Sequence, residues 1–263
     1  MNAIFAVAGT TLGEAIRRKV LLIIMMIGLT FLIITPSISS LSARGQREVL
    51  IGLVLGVLKI TAAILAVTLT VYLLPNEVER RTIYTILSKP VLRSQFLIGK
   101  FLGSVGALAL MLVLMGVVLV VAFALQQQAF SVRDLSPIVL PAIMLVFQMA
   151  LLAALAMFFS TFVTPVINFF LTGLMFIFGT LMNPIFEIYG AKQSSGAISI
   201  LARVAHYVIP NFGSLDMSGG ASDAAQTARA GDAIFMMQGA AYAVVYISIL
   251  IVVSIMIFDN KEV

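Results

Sequence analysis

The chain has 263 residues, of which 61% are hydrophobic and only 10% are charged, with a net charge of +5, one histidine and no cysteine. Soluble domains are about 45–50% apolar and about 25% charged, so this composition excludes a soluble enzyme or binding module. Without cysteine there is no disulfide, catalytic thiolate or iron–sulfur cluster, and one histidine excludes a His-rich metal site. The positive charge does not indicate nucleic-acid binding, because no basic run has the aromatic interleaving of such a groove.

The N-terminal residues 2–19 predict a helix that lies in the membrane interface. Apolar residues such as Ile4, Ala8 and Leu12 recur near helical spacing, and the basic run Arg17–Lys19 ends the segment. A signal peptide carries its positive charges before its apolar stretch, so the observed order predicts a retained helix rather than a cleaved one. The alternative is a helix continuous with the first membrane span.

Six apolar runs each approach the 20 or so residues that cross a bilayer. They lie at about 20–35, 49–74, 96–125, 137–162, 164–183 and 233–258. The first is expected to stop at Thr35-Pro36. The fourth and fifth are separated only by the uncharged turn 160–165, where one broken helix is the alternative to two spans, but the combined run is too long for a single crossing. The predicted fold is therefore one all-α integral membrane domain over residues 1–263, with six transmembrane helices.

The lysines and arginines predict the orientation of these spans. With the N-terminus in the cytoplasm, nine basic residues fall on the inner side and six on the outer side, while Lys59 lies within the second span. Six crossings then place both termini in the cytoplasm. The expected location is the cell membrane, most simply the bacterial inner membrane.

The longest polar segment, residues 187–232, is predicted to lie outside the cell. An apolar face over 198–208 predicts a short amphipathic helix on the outer surface, which Pro210 ends. His206 has Ser199 and Ser214 near it in sequence. Neither serine stands in a nucleophile-elbow context, so a serine hydrolase is not predicted.

Lys59 is the most unusual residue of the predicted spans, because it lies about ten residues into the second one, roughly 15 Å along the helix and near the middle of the bilayer. Two interpretations stay open. Lys59 lies on a translocation path and contacts an anion or a lipid headgroup, or it bonds to a neighbouring span or extends to the outer interface.

Other polar and small residues of the spans predict packing contacts. Gln148 and Asn168 are expected to form hydrogen bonds between helices, and the pairs Gly52/Gly56 and Gly99/Gly103 to allow close packing of helices or of a dimer. No acidic residue falls within a predicted span core, which argues against a proton-coupled carrier.

The charged connector between the second and third spans predicts a short cytoplasmic helix at about 77–89. Asn76 is a suitable N-cap, Glu77 and Glu79 fall in the first turn, and Glu77 is four residues before Arg81. Pro90 ends the helix. On these grounds alone, a solvated loop that only sets the topology explains the charges equally well.

The same connector resembles the first cytoplasmic connector of type-2 ABC exporter permeases. The resemblance rests on Glu77-x-Glu79-Arg80-x-Thr82, Leu87-Ser88-x-Pro90, Arg93 and Gly99-Lys100, and on the layout of an interfacial helix, six spans and an outer amphipathic or re-entrant segment before the last span. Pro210-Asn211-Phe212 in that outer segment is also similar, though less specifically. Arg81 stands where a glycine is common in the family. The resemblance implies a coupling helix that docks on an ATPase subunit through Glu77, Glu79, Arg80, Arg81, Thr82, Ser88, Lys89 and Pro90.

The function implied by this resemblance is that of a permease subunit in an ATP-driven ABC exporter. No GxxxxGK[ST] motif occurs in the sequence, so the chain is predicted not to be an enzyme and to hold no cofactor, with ATP and Mg²⁺ bound by the partner. The implied partners are an ABC ATPase subunit, a second permease copy or homologue, and membrane lipid, but no nucleic acid. The alternative is an ATP-independent carrier or scaffold subunit. An intramembrane enzyme would need an acid/base or metal set that the sequence lacks.

Overall fold

The computed structural model describes residues 2–39, 46–73, 92–127, 132–185, 209–217 and 231–259, and every regular element in these ranges is helical. The α-helices are α1 (Asn2–Arg17), α2 (Lys19–Ser39), α3 (Gln46–Val71), α4 (Arg93–Gln127), α5 (Val132–Ser160), α6 (Pro165–Ile185) and α7 (Gly231–Asp259), and a 3₁₀ turn covers Phe212–Leu215. The predicted all-α class is confirmed for this part of the chain.

Four of the described helices are long and apolar enough to cross a membrane on their own, namely α3, α4, α5 and α7. Helices α1 and α2 pass the same test as one bent pair, and the apolar part of α6, Pro165–Leu181, is shorter. The chain is thus a multi-pass membrane protein. The count of six crossings stays a prediction.

The N-terminal segment forms a helix of its own, as predicted, and is not continuous with the first span. Helix α1 ends at Arg17, α2 begins at Lys19, and their axes differ by 61°. The first turns of α4 pack against α1, where Gly99 and Gly103 leave no room for a side chain. A Cβ at Gly103 would lie 2.5 Å from the carbonyl oxygen of Ala8.

The first span was predicted to stop at Thr35-Pro36, and the apolar part of α2 does end at Thr35, although the helix itself continues to Ser39. Proline removes one backbone N–H, and membrane helices tolerate this when neighbouring groups satisfy the carbonyls it frees. Pro36 frees the carbonyl of Leu32, four residues earlier, while the hydroxyl of Thr35 donates a hydrogen bond to the neighbouring carbonyl of Phe31 at 2.7 Å. With 21 residues, α2 is about 31 Å long, close to the thickness of a bilayer core.

The uncharged turn after α5 separates two helices that pack against each other, and the crossing of the membrane by both stays a prediction. Helix α5 ends at Ser160 and α6 begins at Pro165. Asn168 Nδ2 then donates to the carbonyl of Ala156 on α5 at 2.9 Å, and its side-chain oxygen accepts from the hydroxyl of Thr172. The helix-to-helix bond predicted for Asn168 is confirmed.

The helix ends fall on two sides of the bundle. On one side, Ser160 at the end of α5 reaches the carbonyl of Val71 at the end of α3, and Arg93 at the start of α4 reaches the last carbonyls of α7. We call this the Arg93 side. The opposite side, where α3 begins, is the Gln46 side. Residues 74–91 therefore connect two helix ends on the Arg93 side, whereas α6 ends and α7 begins on the Gln46 side.

Candidate functional site

A tight turn at residues 210–216 carries the most unusual geometry of the described chain. Asn211 closes it, because its side-chain oxygen accepts the backbone N–H of Ser214 at 3.1 Å and its carbonyl accepts the Ser214 hydroxyl at 2.8 Å. The N–H of Asp216 then donates to the carbonyl of Gly213 at 3.2 Å. Asn, Gly and Ser are residues that favour such local bonds over a regular helix. We call residues 210–216 the re-entrant turn.

The re-entrant turn is buried among the apolar helices. Phe212 is fully buried and Leu215 is 1% exposed. Glycines on two helices make the space, since a Cβ at Gly179 would lie 2.4 Å from the carbonyl oxygen of Pro210, and one at Gly239 would lie 3.3 Å from Leu215. The backbone of the turn thus enters the bundle only where these two glycines admit it.

Two polar side chains satisfy the backbone of the turn. Gln148 on α5 is 1% exposed, and its Nε2 donates to the carbonyl of Phe212 at 2.8 Å. The hydroxyl of Tyr242 on α7 accepts the backbone N–H of Asn211 at 2.9 Å. Irregular backbone at membrane depth needs such partners. The hydrogen bond between helices predicted for Gln148 thus joins α5 to the short 3₁₀ helix Phe212–Leu215 instead of to another span.

An ion pair ties the turn to α3. Lys59 Nζ donates to a carboxylate oxygen of Asp216, and the two side chains are only 16% and 20% exposed. The ammonium also lies 5.8 Å from the ring centre of Phe176, which in turn packs edge-on against Phe212 with ring centres 5.3 Å apart. A buried cation is thereby balanced by an acid and by the negative face of an aromatic ring.

The position of Lys59 shows how deep the turn reaches. Lys59 is ten residues from Val49 within the apolar run Val49–Val71, or about 15 Å along α3. Asp216 therefore lies near the middle of the bundle, although no predicted span contains it. No acid was predicted within a span core, and Asp216 belongs to none of the spans, but the turn brings it beside Lys59 of α3. The missed signal was Lys59 itself, because a lysine at that depth calls for a counter-charge.

A second polar cluster lies at the Arg93 side, beside the ends of the connector 74–91. Arg93 Nη1 is 3.5 Å from the carbonyl oxygens of both Phe258 and Asp259, where the dipole of α7 favours a cation. Lys100 is 5% exposed, and its Nζ lies 3.9 Å from a carboxylate oxygen of Glu14 and 5.7 Å from the ring centre of Phe96. The start of α4 is thus in contact with both α1 and α7.

Most of the predicted site residues cannot be placed. The docking residues Glu77, Glu79, Arg80, Arg81, Thr82, Ser88, Lys89 and Pro90 lie outside the described residues, as do His206 and the predicted surface helix 198–208. Lys59 is described, and the structure pairs it with Asp216 of the re-entrant turn, a partner that belongs to no predicted span.

Comparison with known proteins gives one finding for nearly the whole chain. Residues 5–263 match the family model described as ABC-2 family transporter protein. No curated protein matches the chain.

Proposed function

Because the chain belongs to the ABC-2 transporter family, we propose that it is the permease subunit of an ATP-driven exporter. The observation that carries this proposal is the family match over residues 5–263. The family supplies the membrane subunit of a transporter rather than the ATPase, and the sequence holds no GxxxxGK[ST] motif. In the proposed complex a separate ATPase subunit binds ATP and Mg²⁺, and a second permease copy or homologue completes the membrane part.

Energy enters this complex through the connector at about 77–89, the proposed coupling helix. Its neighbours support the assignment: the connector joins the end of α3 to the start of α4 on the Arg93 side, where α1 and the end of α7 also contact α4. A displacement of the connector would then be passed to four helices. The Arg93 side is cytoplasmic in this proposal, both chain termini included, and the membrane is the bacterial inner membrane.

An ATP-independent carrier or scaffold is the second candidate, and one observation favours it. Asp216 is an acid at span depth on a discontinuous segment, and carriers use such residues to couple ions. The pairing of Asp216 with Lys59 weakens this candidate, because the carboxylate that would bind a coupling ion already has the ammonium as its counter-charge.

Co-purification tests the permease proposal. We expect the chain, purified with its native neighbours, to retain an ATPase, and Glu79→Ala/Arg80→Ala to lose that association and the ATP-dependent transport. The double change Glu187→Ala/Lys192→Ala removes the same charges from the predicted outer loop and serves as the matched control. The proposal would be contradicted if no ATPase co-purified with the chain, or if the ATPase stayed bound to the Glu79→Ala/Arg80→Ala variant.

A further inference from the structure

We propose that Lys59 recognises an anionic group of the transported ligand, a phosphate or a carboxylate, and that Asp216 holds this place until the ligand displaces it. The inference rests on the proposed transport function and names the substrate class. In this arrangement Asp216 is an internal competitor: its carboxylate has the chemistry that an anionic ligand would present to the lysine. Arrival of the ligand releases the re-entrant turn from α3.

The first argument is electrostatic. Lys59 lies among apolar helices, where an unpaired charge is costly. An anion that takes the place of Asp216 keeps the ammonium of Lys59 paired. A neutral ligand would leave the ammonium without its counter-charge, so Lys59 discriminates by charge.

The second argument is access. Lys59 follows Gly56 by three residues and Gly52 by seven, which places all three on one face of α3. Outside the backbone of α3 itself, no atom lies within 4 Å of where a Cβ would stand at Gly52 or Gly56. A strip of α3 about 10 Å long that carries no side chain thus runs from the Gln46 side of the bundle towards Lys59. It ends at a partly exposed ion pair.

The third argument concerns what the displacement would move. The pair holds the end of the re-entrant turn, while Gln148 and Tyr242 hold its beginning through backbone groups of Phe212 and Asn211. Loss of the contact between Lys59 and Asp216 would remove a tie between α3 and the end of the turn, and leave the contacts at its beginning in place. The ligand would therefore change how the turn is held within the bundle.

The test uses the permease chain alone, so that a failure to bind an ATPase leaves it valid. Because the chain has no cysteine, Met217→Cys gives a single reporter beside the turn, read as its rate of modification by a neutral maleimide. We expect the rate to rise about fivefold when phosphatidylglycerol is added to phosphatidylcholine nanodiscs, which corresponds to about 1 kcal/mol for one basic residue. Leu125→Cys, at the exposed end of α4, reports any general effect of the lipid.

Substitutions of Lys59 and of Asp216 should have opposite effects on the amount of phosphatidylglycerol that the chain retains. Asp216→Asn frees the cation and should retain more phosphatidylglycerol on purification than the unchanged chain, whereas Lys59→Gln should retain less and give a reporter rate that ignores the lipid. Lys59→Arg should keep the response. A pair that is only structural would shift both partners in the same direction, and that result would overturn the proposal.

Two further experiments distinguish a soluble anion from a lipid headgroup and test the path along α3. Inorganic phosphate added to phosphatidylcholine nanodiscs raises the reporter rate if the ligand is a soluble anion, and only phosphatidylglycerol raises it if the ligand is a lipid headgroup. If neither does, the inference is wrong. Gly56→Leu should block the response by filling the strip, whereas Gly116→Leu, at an equally open glycine of α4, should not. An unchanged response in Gly56→Leu would refute the path along α3.

Discussion

At the residue scale, Gln148 makes the contact whose loss is easiest to isolate. Its Nε2 donates to the carbonyl of Phe212 within the bundle. Gln148→Leu keeps the size of the side chain but leaves this carbonyl without its donor. We expect a loss of about 1–3 kcal/mol in the free energy of unfolding, the usual cost of an unsatisfied buried polar group, seen as a lower thermal midpoint in detergent. Gln238→Leu, at an exposed position of α7, should leave the midpoint unchanged. If both changes lowered the thermal midpoint equally, the hydrogen bond of Gln148 would not contribute to stability.

The polar residues also show which contacts can be predicted from the sequence. Asn168 bonds across to α5 as predicted, because both partners lie on helices that the apolar runs define. Gln148, in contrast, bonds to a segment that no hydropathy pattern places in the membrane. Asp216 belongs to the same segment. Of the ion pair, therefore, only Lys59 was recognised from the sequence. A contact between a span and a distant loop has no periodicity of its own and therefore leaves no local signal.

At the element scale, the crossing of α1 and α4 depends on a glycine pair. The Gly99/Gly103 motif does allow close packing, and within a single chain its partner is α1. Gly103→Leu would force α1 away, since even a Cβ would stand 2.5 Å from the Ala8 carbonyl. We expect a loss of about 1–3 kcal/mol or more from overpacking, measured by thermal unfolding in detergent. Gly116→Leu adds the same side chain where nothing lies within 4 Å and should cost little. Comparable losses in both variants would show that the crossing is not tight.

The predicted spans agree with the helices to within a few residues, but helices continue through prolines at which a span was predicted to begin or end. The run at 49–74 is the helix Gln46–Val71, and the run at 96–125 is the helix Arg93–Gln127. Helix α5 begins at Val132, five residues before the predicted span, and contains both Pro137 and Pro141. A proline costs a helix one hydrogen bond and some crowding, which packing within a membrane bundle offsets. Proline is therefore a weaker boundary signal in this chain than in a soluble protein.

At the scale of the whole molecule, the two polar clusters lie at different depths and belong to different parts of the proposed mechanism. The cluster around Arg93 and Lys100 joins the start of α4 to α7 and α1, beside the connector that an ATPase would move. The ion pair of Lys59 and Asp216 lies near the middle of the bundle. Helix α3 links them, because it carries Lys59 and ends at the connector. A movement of the connector and a displacement of Asp216 would therefore act on the same helix.

The arrangement of helix ends predicts a topology that can be tested directly. Position 85 of the connector, Phe162 of the hairpin and Lys261 near the end should all face the same side, because the ends of α3, α5 and α7 lie together. Single cysteines at Thr85, Phe162 and Lys261 in this cysteine-free chain should react with an impermeant reagent only in inside-out vesicles. A cysteine at Ala221, in the predicted outer loop, should react only in right-side-out vesicles. Labelling of Thr85→Cys from outside alone would reverse the orientation, and disagreement between positions 85 and 162 would exclude the six-crossing arrangement, since α4 and α5 must cross as a pair to bring both positions to one side.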